Sequence, residues 1–346
     1  MPLPVEVLVI GAGNRGQIYS FFAKDFPERM KVVGVADCRQ VARRNLQRKY
    51  SVADCNVFDD WRGAAAREKF ADAVIIATPD KQHKEPAVAF AEKGYHILLE
   101  KPMAVTVDDC KDIVAACKKH NVILSVCHVL RYSPVIIKIK ELLSQGVIGE
   151  VVHIQHLEPV GFYHFAHSFV RGNWRNEQES TFSLMAKSCH DIDIINSLVG
   201  KRCIKVSSFG SLSHFTKENK PQGAASRCLN CAVEQSCPYS AKKLYLEGVK
   251  NGELSSEGQD PVKVFDFLTQ TKKEYALDYS ILQQTQLRGH GGADYYLMDS
   301  FIQAVAENNP SLIRTGPEVT LASHLLVFDA ECARRESRIV YCNQAE

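Results

Sequence analysis

At 346 residues, with 45% hydrophobic and 24% charged residues, the chain has an ordinary globular composition and enough length for two cores. A formal net charge of +2 gives no electrostatic reason to expect nucleic acid or an anionic membrane as a partner. No apolar run approaches the length of a bilayer span and no basic region precedes the short apolar run near the N-terminus, so the expectation is a cytoplasmic protein.

The first 130 residues alternate strand and helix signals. The run VEVLVIGAG (5–13) is continuously apolar and ends in glycines, as a central parallel strand does, and a helix is expected from about Asn14 to Lys24. A second strand, KVVGVAD (31–37), leads into a helix with a basic face, CRQVARRNLQRKY (38–50). Then come a strand ADAVIIATP (71–79), a helix KEPAVAFAEKG (84–94) closed by Gly94, a strand YHILLEKP (95–102), a helix TVDDCKDIVAACKKHN (106–121) and a strand VILSVCH (122–128). Strands separated by helices of this length make right-handed βαβ units and a doubly wound parallel sheet.

Character changes after residue 128, which divides the doubly wound domain at 1–128 from an α/β domain at 129–346. PVIIKIKELLSQGVIGE (134–150) reads as an amphipathic helix and VVHIQHLEPV (151–160) as a strand with one open face. Helical spacing covers TFSLMAKSCHDIDIINSLVG (181–200), 290–308 and 319–337, and RIVYC (338–342) is the expected last strand. The polar stretch at about 215–258 reads as an excursion from the second domain.

Twelve cysteines are present, nine of them scattered through expected strands and helices, where a thiol is a small buried hydrophobe. Cys228, Cys231 and Cys237 cluster within the excursion; with His214 or Cys203 as a fourth ligand they would hold a structural zinc, and unligated thiols are the alternative.

Gly11, Gly13 and Gly16 form GxGxxG where a strand hands over to a helix. The first glycine permits the turn, the second admits a pyrophosphate, the third lets helix pack on strand, and the helix N-terminus, with Asn14 and Arg15, supplies N–H donors. Asp37 ends the second strand where an acid binds the adenosine ribose hydroxyls, which favours NAD; Arg39 and Arg43 leave NADP open. Thr78, Pro79 and His83 follow one strand and Glu100, Lys101 and Pro102 another, all at the carboxyl edge where such sheets bind ligands. Lys101 there is placed to stabilise charge on the oxygen of a carbinol or ketone during hydride transfer.

GxGxxG, the acid after the second strand, ATP…H and EKP together resemble the Gfo/Idh/MocA family, as do HVLRYSP and GVIGE further on. The resemblance implies a Rossmann domain followed by an α/β domain with a large open mixed sheet, a carbohydrate-like substrate, a homo-oligomer, and catalysis by Lys101. The family's helix motif is an aspartate, a histidine four residues on and an aspartate three beyond. Here His190 and Asp193 match the last two positions, and Ala186 stands at the first. His190 is thereby implied as the proton carrier without its usual carboxylate. On a regular helix Lys187 points about 100° away from Ala186, and Asp191 is similarly rotated from His190. The stretches FAHSFVRGNWRN, AKSCHDID and CPYSA are similar to a subgroup that carries Ala-Lys in place of the acid, which implies a different proton route.

Tyr163, His164, Arg171, Trp174 and Arg175 concentrate before that helix. Aromatics stack on sugars and guanidinium groups bind anions, so these residues are expected to shape the substrate pocket; the two arginines serving nearby backbone carbonyls is the alternative. His290 in RGHGGADYY joins them, and a similar GHGG element occurs in the family's NAD-dependent glycosidases. Three functions follow: an NAD(P)-dependent dehydrogenase of a sugar, cyclitol or related hydroxyl; a redox-neutral glycosidase that oxidises, eliminates, adds water and reduces; or a sensor that binds NAD(P) without chemistry.

Overall fold

A computed structural model describes residues 3–247 and 261–342. Its first half is a six-stranded, wholly parallel sheet formed by β1 (Val5–Ile10), β2 (Met30–Ala36), β3 (Val57–Phe58), β4 (Ala73–Ile76), β5 (His96–Leu99) and β6 (Leu124–Val126), in the order β3-β2-β1-β4-β5-β6. The connecting helices are α1 (Asn14–Asp25), α2 (Gln40–Tyr50), α3 (Trp61–Ala65), α4 (Lys84–Glu92) and α5 (Val107–Lys119). These elements match those expected from the sequence, with β3 and α3 added between the second and third expected strands.

The apolar run of β1 is explained by cover on both faces. Val7 and Val9 pack with Tyr19 and Phe22 of α1, while Leu8 and Ile10 pack with Phe90 of α4 and Ile113 of α5. α5 shows the local logic of the helices. Thr106 caps it, accepting from the Asp109 N–H at 3.1 Å, with Asp108 and Asp109 in the first turn and Lys118 and Lys119 in the last.

The second half contains α6 (Pro134–Ser144), α7 (Phe162–Phe165), α8 (Cys189–Val199), β7 (Lys205–Val206), β8 (Val262–Asp266), β9 (Thr271–Tyr275), α9 (Ala293–Glu307), α10 (Pro317–Glu336) and β10 (Val340–Tyr341). Leu297, Met298 and Phe301 of α9 complete the core on the α1 face of the sheet.

Three expectations differ from what is found. The second domain is α/β, but among the described residues its strands make two antiparallel pairs, β7 with β10 and β8 with β9, in place of a large open mixed sheet. Residues 151–160 join no ladder: Val152 is 96% and Leu157 76% exposed, so positions of opposite parity both face out, where a half-buried strand would cover one of them. The helix expected over 181–200 is instead two pieces, a π-helical turn at Leu184–Ser188 and then α8. The excursion holds short turns at Cys228–Asn230 and Glu234–Ser236, and its part at 248–260 lies outside the described residues.

Candidate active site

Strand order reverses between β1 and β4, which opens a crevice at the carboxyl ends of the strands. Gly11 turns the chain there with φ +91°; a Cβ on it would lie 2.5 Å from the Ala77 carbonyl oxygen, and one on Gly16 would lie 2.0 Å from that of Gly11. Gly13 caps α1 without a side-chain hydrogen bond, so no capping side chain claims the first-turn N–H groups of Asn14 and its neighbours. A close-approach turn opening onto such a helix end fits the pyrophosphate of a dinucleotide.

Asp37 accepts from the Ala12 N–H at 2.7 Å and the Arg39 N–H at 2.8 Å, and its Oδ2 pairs with the Arg39 guanidinium at 3.0 Å. Burial works against its charge, yet these hydrogen bonds hold its pKa below the usual carboxylate value. The exposed Arg39 side chain thus occupies the acid that would receive the ribose diol. Arg15 turns inward instead of toward the glycine turn: it pairs with Glu100 at 2.9 Å and Asp294 at 2.6 Å and donates to Tyr19 Oη at 2.7 Å. Tyr19 in turn donates to Glu100 at 2.5 Å. Burial opposes the charges of Glu100 and Asp294; Arg15, with Lys101 beside Glu100 and His290 beside Asp294, outweighs it and keeps both carboxyl pKa values low. His83 braces the same edge. Its Nδ1 meets the Pro102 carbonyl at 2.7 Å and its Nε2 that of Thr78 at 2.9 Å, just ahead of Pro79.

Lys101 follows β5, and its Nζ donates to the Ala186 carbonyl at 2.7 Å. His190, on the first turn of α8, is buried with no hydrogen-bond partner at Nδ1. Its ring meets His128 edge-on at 5.4 Å, and neither nitrogen of His128 has a partner. His128 lies 5.4 Å from the ring of His324, which accepts from the Met103 N–H at 2.9 Å and donates to the Thr320 carbonyl at 3.0 Å. Burial, then the nearby charges of Lys101 and Arg131, push His128 down to about 3. Burial and Lys101 drive His190 well below its ordinary value, with His128, His290 and Lys187 adding to the effect. Asp193, one turn on, is spent on Arg131, 3.2 Å away, which fastens α8 to the loop after β6.

The π-helical turn answers where Lys187 goes. It pairs with Glu158 at 3.1 Å, and its positive charge adds to the causes that lower the pKa values of His164 and His190. His164 is pushed down by burial, Lys187, His167 and Lys101. Tyr163 beside it is half exposed. The other expected pocket residues have partners. Arg171 donates to the Tyr239 carbonyl at 2.6 Å, Trp174 donates to Asp80 at 2.7 Å, and Arg175 pairs with Glu179 at 2.9 Å on the surface. His290 pairs with Asp294 at 3.3 Å.

Cys228, Cys231 and Cys237 are free, partly exposed thiols. They do not gather at ligand spacing; among the described residues the group of candidate metal-ligating atoms is His156, Glu158 and Asp191. The expected zinc on three thiolates therefore has no preformed site. The reason is local: the Cys231 sulfur accepts from the Ala225 N–H at 3.4 Å, and the cysteines sit on two separate short turns.

Sequence reasoning missed His128 and Lys187. A signal existed for the first, since His128 follows β6 at the same carboxyl edge as Lys101. For Lys187 none did, because a period of 3.6 residues assigns it the wrong face once the turn widens.

Comparison with known proteins follows the same division of the chain. Residues 5–128 match the model of an oxidoreductase family with an NAD-binding Rossmann fold, and residues 140–236 match that family's C-terminal alpha/beta domain. The chain is 30% identical over 196 residues to 2,7-anhydro-N-acetylneuraminate hydratase of Mediterraneibacter gnavus, covering 57% of this chain and 50% of that protein. It is 27% identical over 208 residues to inositol 2-dehydrogenase 1 of Saccharopolyspora erythraea, covering 59% and 57%. The matches thus span about half the length of these curated relatives. In fold it is similar to scyllo-inositol dehydrogenase from Lactobacillus casei with bound NAD(H) and scyllo-inositol, at a TM-score of 0.66 and 14% identity over 99% of this chain and 100% of the other.

Proposed function

We propose a reaction for this chain from one premise: it belongs to the Gfo/Idh/MocA oxidoreductase family, matched in both its NAD-binding and its C-terminal domains. The reaction is oxidation of a hydroxyl on a sugar, cyclitol or sugar acid, or its reverse. NAD, when bound, supplies the hydride acceptor. The observation that carries the reading is that Lys101, at the strand edge where the glycine turn opens, bonds the Ala186 carbonyl one turn ahead of the buried His190, whose Nδ1 has no partner.

In this reading the glycine turn and α1 hold the pyrophosphate, and Asp37 takes the adenosine ribose as Arg39 swings outward. A carboxylate repels a 2′-phosphate, so NAD is preferred to NADP. Lys101 exchanges the Ala186 carbonyl for the reacting oxygen and stabilises the charge that grows there. His190, kept neutral by its surroundings, receives the hydroxyl proton on oxidation and returns it on reduction. Lys187 and His164 bind polar or anionic groups of the substrate.

A second reading shares these steps. The relative named as a hydratase, together with the further imidazole at His290, favours a redox-neutral course of oxidation, elimination, hydration and reduction. Lys101→Met tests what the two have in common. We expect kcat to fall about 10²–10⁴-fold with cofactor affinity nearly unchanged. Full activity in the variant, or loss of cofactor binding in parallel, would remove Lys101 from the role given to it.

A further inference from the structure

One pair of thiols outside the site is already in contact. The Cys342 sulfur donates to the Cys203 sulfur at 3.8 Å. The pair lies where β7 meets β10, two strands joined through Val206 with Val340 and Lys205 with Tyr341. The Cys342 N–H donates to the Ile204 carbonyl at 3.0 Å and carries that ladder one bond further toward Cys203. The sulfurs of a disulfide are about 2 Å apart, so the link needs a shift of about 1 Å at each sulfur.

The two thiols are not equivalent. Cys203 is partly exposed and Cys342 is buried. Burial, and then its hydrogen bond to Cys203, push the Cys342 thiol up to about 12. Cys342 therefore keeps its proton, and an oxidant in solution meets Cys203 first. The position gives a link leverage. β7 follows α8, which carries His190, and β10 follows α10, which carries His324. The two helices pack through Cys189 and Ile192 on one and Val327 and Phe328 on the other. Each ends in a left-handed residue, Gly200 and Ser337, ahead of its strand.

We propose that Cys203 and Cys342 form an oxidation site, which hydrogen peroxide closes to a disulfide that braces the carboxyl end of α8 against that of α10. The Cys203 thiolate, its proton lost to solvent, attacks one peroxide oxygen. The O–O bond breaks, Cys203 becomes a sulfenic acid, and the other oxygen leaves as hydroxide and takes up a proton. The Cys342 sulfur then attacks the Cys203 sulfur. The S–O bond breaks, and the departing hydroxide takes the Cys342 proton and leaves as water. Two thiols and one peroxide thus give one disulfide and two waters, and a dithiol reductant returns both thiols. The cysteines are 139 residues apart, so the link removes much freedom from the unfolded chain. It is independent of the reaction assigned above.

Hydrogen peroxide added to the reduced full chain, followed by peptide mapping by mass spectrometry without reduction, tests this. Trypsin releases Cys203 in residues 203–205 and Cys342 in residues 339–346, so the link is read as one joined peptide, apart from anything formed at the other cysteines. We expect that peptide to form, to disappear with dithiothreitol, and to bring a rise of about 5 °C in the midpoint of thermal unfolding. Cys203→Ser, at a partly exposed position, should lose both the peptide and the rise. Cys342→Val, which keeps the buried position apolar, should lose them too and leave Cys203 to collect as a sulfinic acid. Recovery of Cys203 as a sulfinic acid in the wild type, or joined to any other cysteine, overturns the proposal. So does a joined peptide with no rise in the midpoint, or a rise in Cys203→Ser as large as in the wild type.

Discussion

The two walls of the crevice are built on opposite plans. On the nucleotide wall the buried charges answer one another: Arg15 with Glu100 and Asp294, Tyr19 with Glu100, Asp37 with Arg39 and Ala12. On the facing wall His128 and His190 are as deeply buried, yet three of their four ring nitrogens have no partner. A buried polar atom left unpaired costs about 1–3 kcal/mol, so these nitrogens are the ones on which a hydrogen-bonding ligand would gain most. The lesson is a division of labour. In the proposed reading the cofactor wall is already paired, save that Arg39 must leave Asp37, and the chemistry falls to the wall that is not.

Breaking the finished wall should have the largest effect on stability. Arg15→Met strands two buried carboxylates, and unfolding in urea should show a loss of about 3–5 kcal/mol. A loss under about 1 kcal/mol, the range of an exposed ion pair, would mean the network is not what holds this wall. A smaller effect sharpens the other side of the comparison. His128 and His324 ordinarily titrate near 6.5 and are pushed down to about 3 by burial. The unfolded chain therefore binds protons at these positions below pH 6.5 while the folded one does not. Their contribution is intact above that pH and is lost progressively as the pH falls from 6.5 toward 3, by up to about 1.4 kcal/mol per pH unit for each histidine. His128→Phe should flatten that slope. An unchanged slope in the variant would show that His128 is already charged in the folded protein.

The finished wall was also the more legible in sequence. GxGxxG, Asp37 and EKP are local patterns, each lying within one turn or strand end, and the structure brings them to one edge. Which way Arg15 points was not legible, because its partners Glu100 and Asp294 are 85 and 279 residues away. The other wall depends on geometry that periodicity does not carry. The π-helical turn at Leu184–Ser188 breaks the 3.6-residue spacing from which the direction of Lys187 is expected, and His290 is the first of three left-handed residues in a row. The alternation in 151–160 reads as a strand, but alternation reports a preference for a pleated surface and needs a neighbouring strand to be realised. Arg171 and Arg175 look like anion ligands by type; Tyr239 and Glu179, which occupy them, lie outside that local pattern or on the surface.

The most direct test of the central claim is a rapid-mixing measurement of reduced-nicotinamide absorbance on the full chain with NAD, against a panel of cyclitols, sugar acids, phosphosugars and glycosides. The account predicts reduction by at least one class, lasting if the protein is a dehydrogenase and transient if it returns the hydride after elimination. Bound NAD with neither a lasting nor a transient change across the panel would contradict it and leave a protein that binds the cofactor without using it.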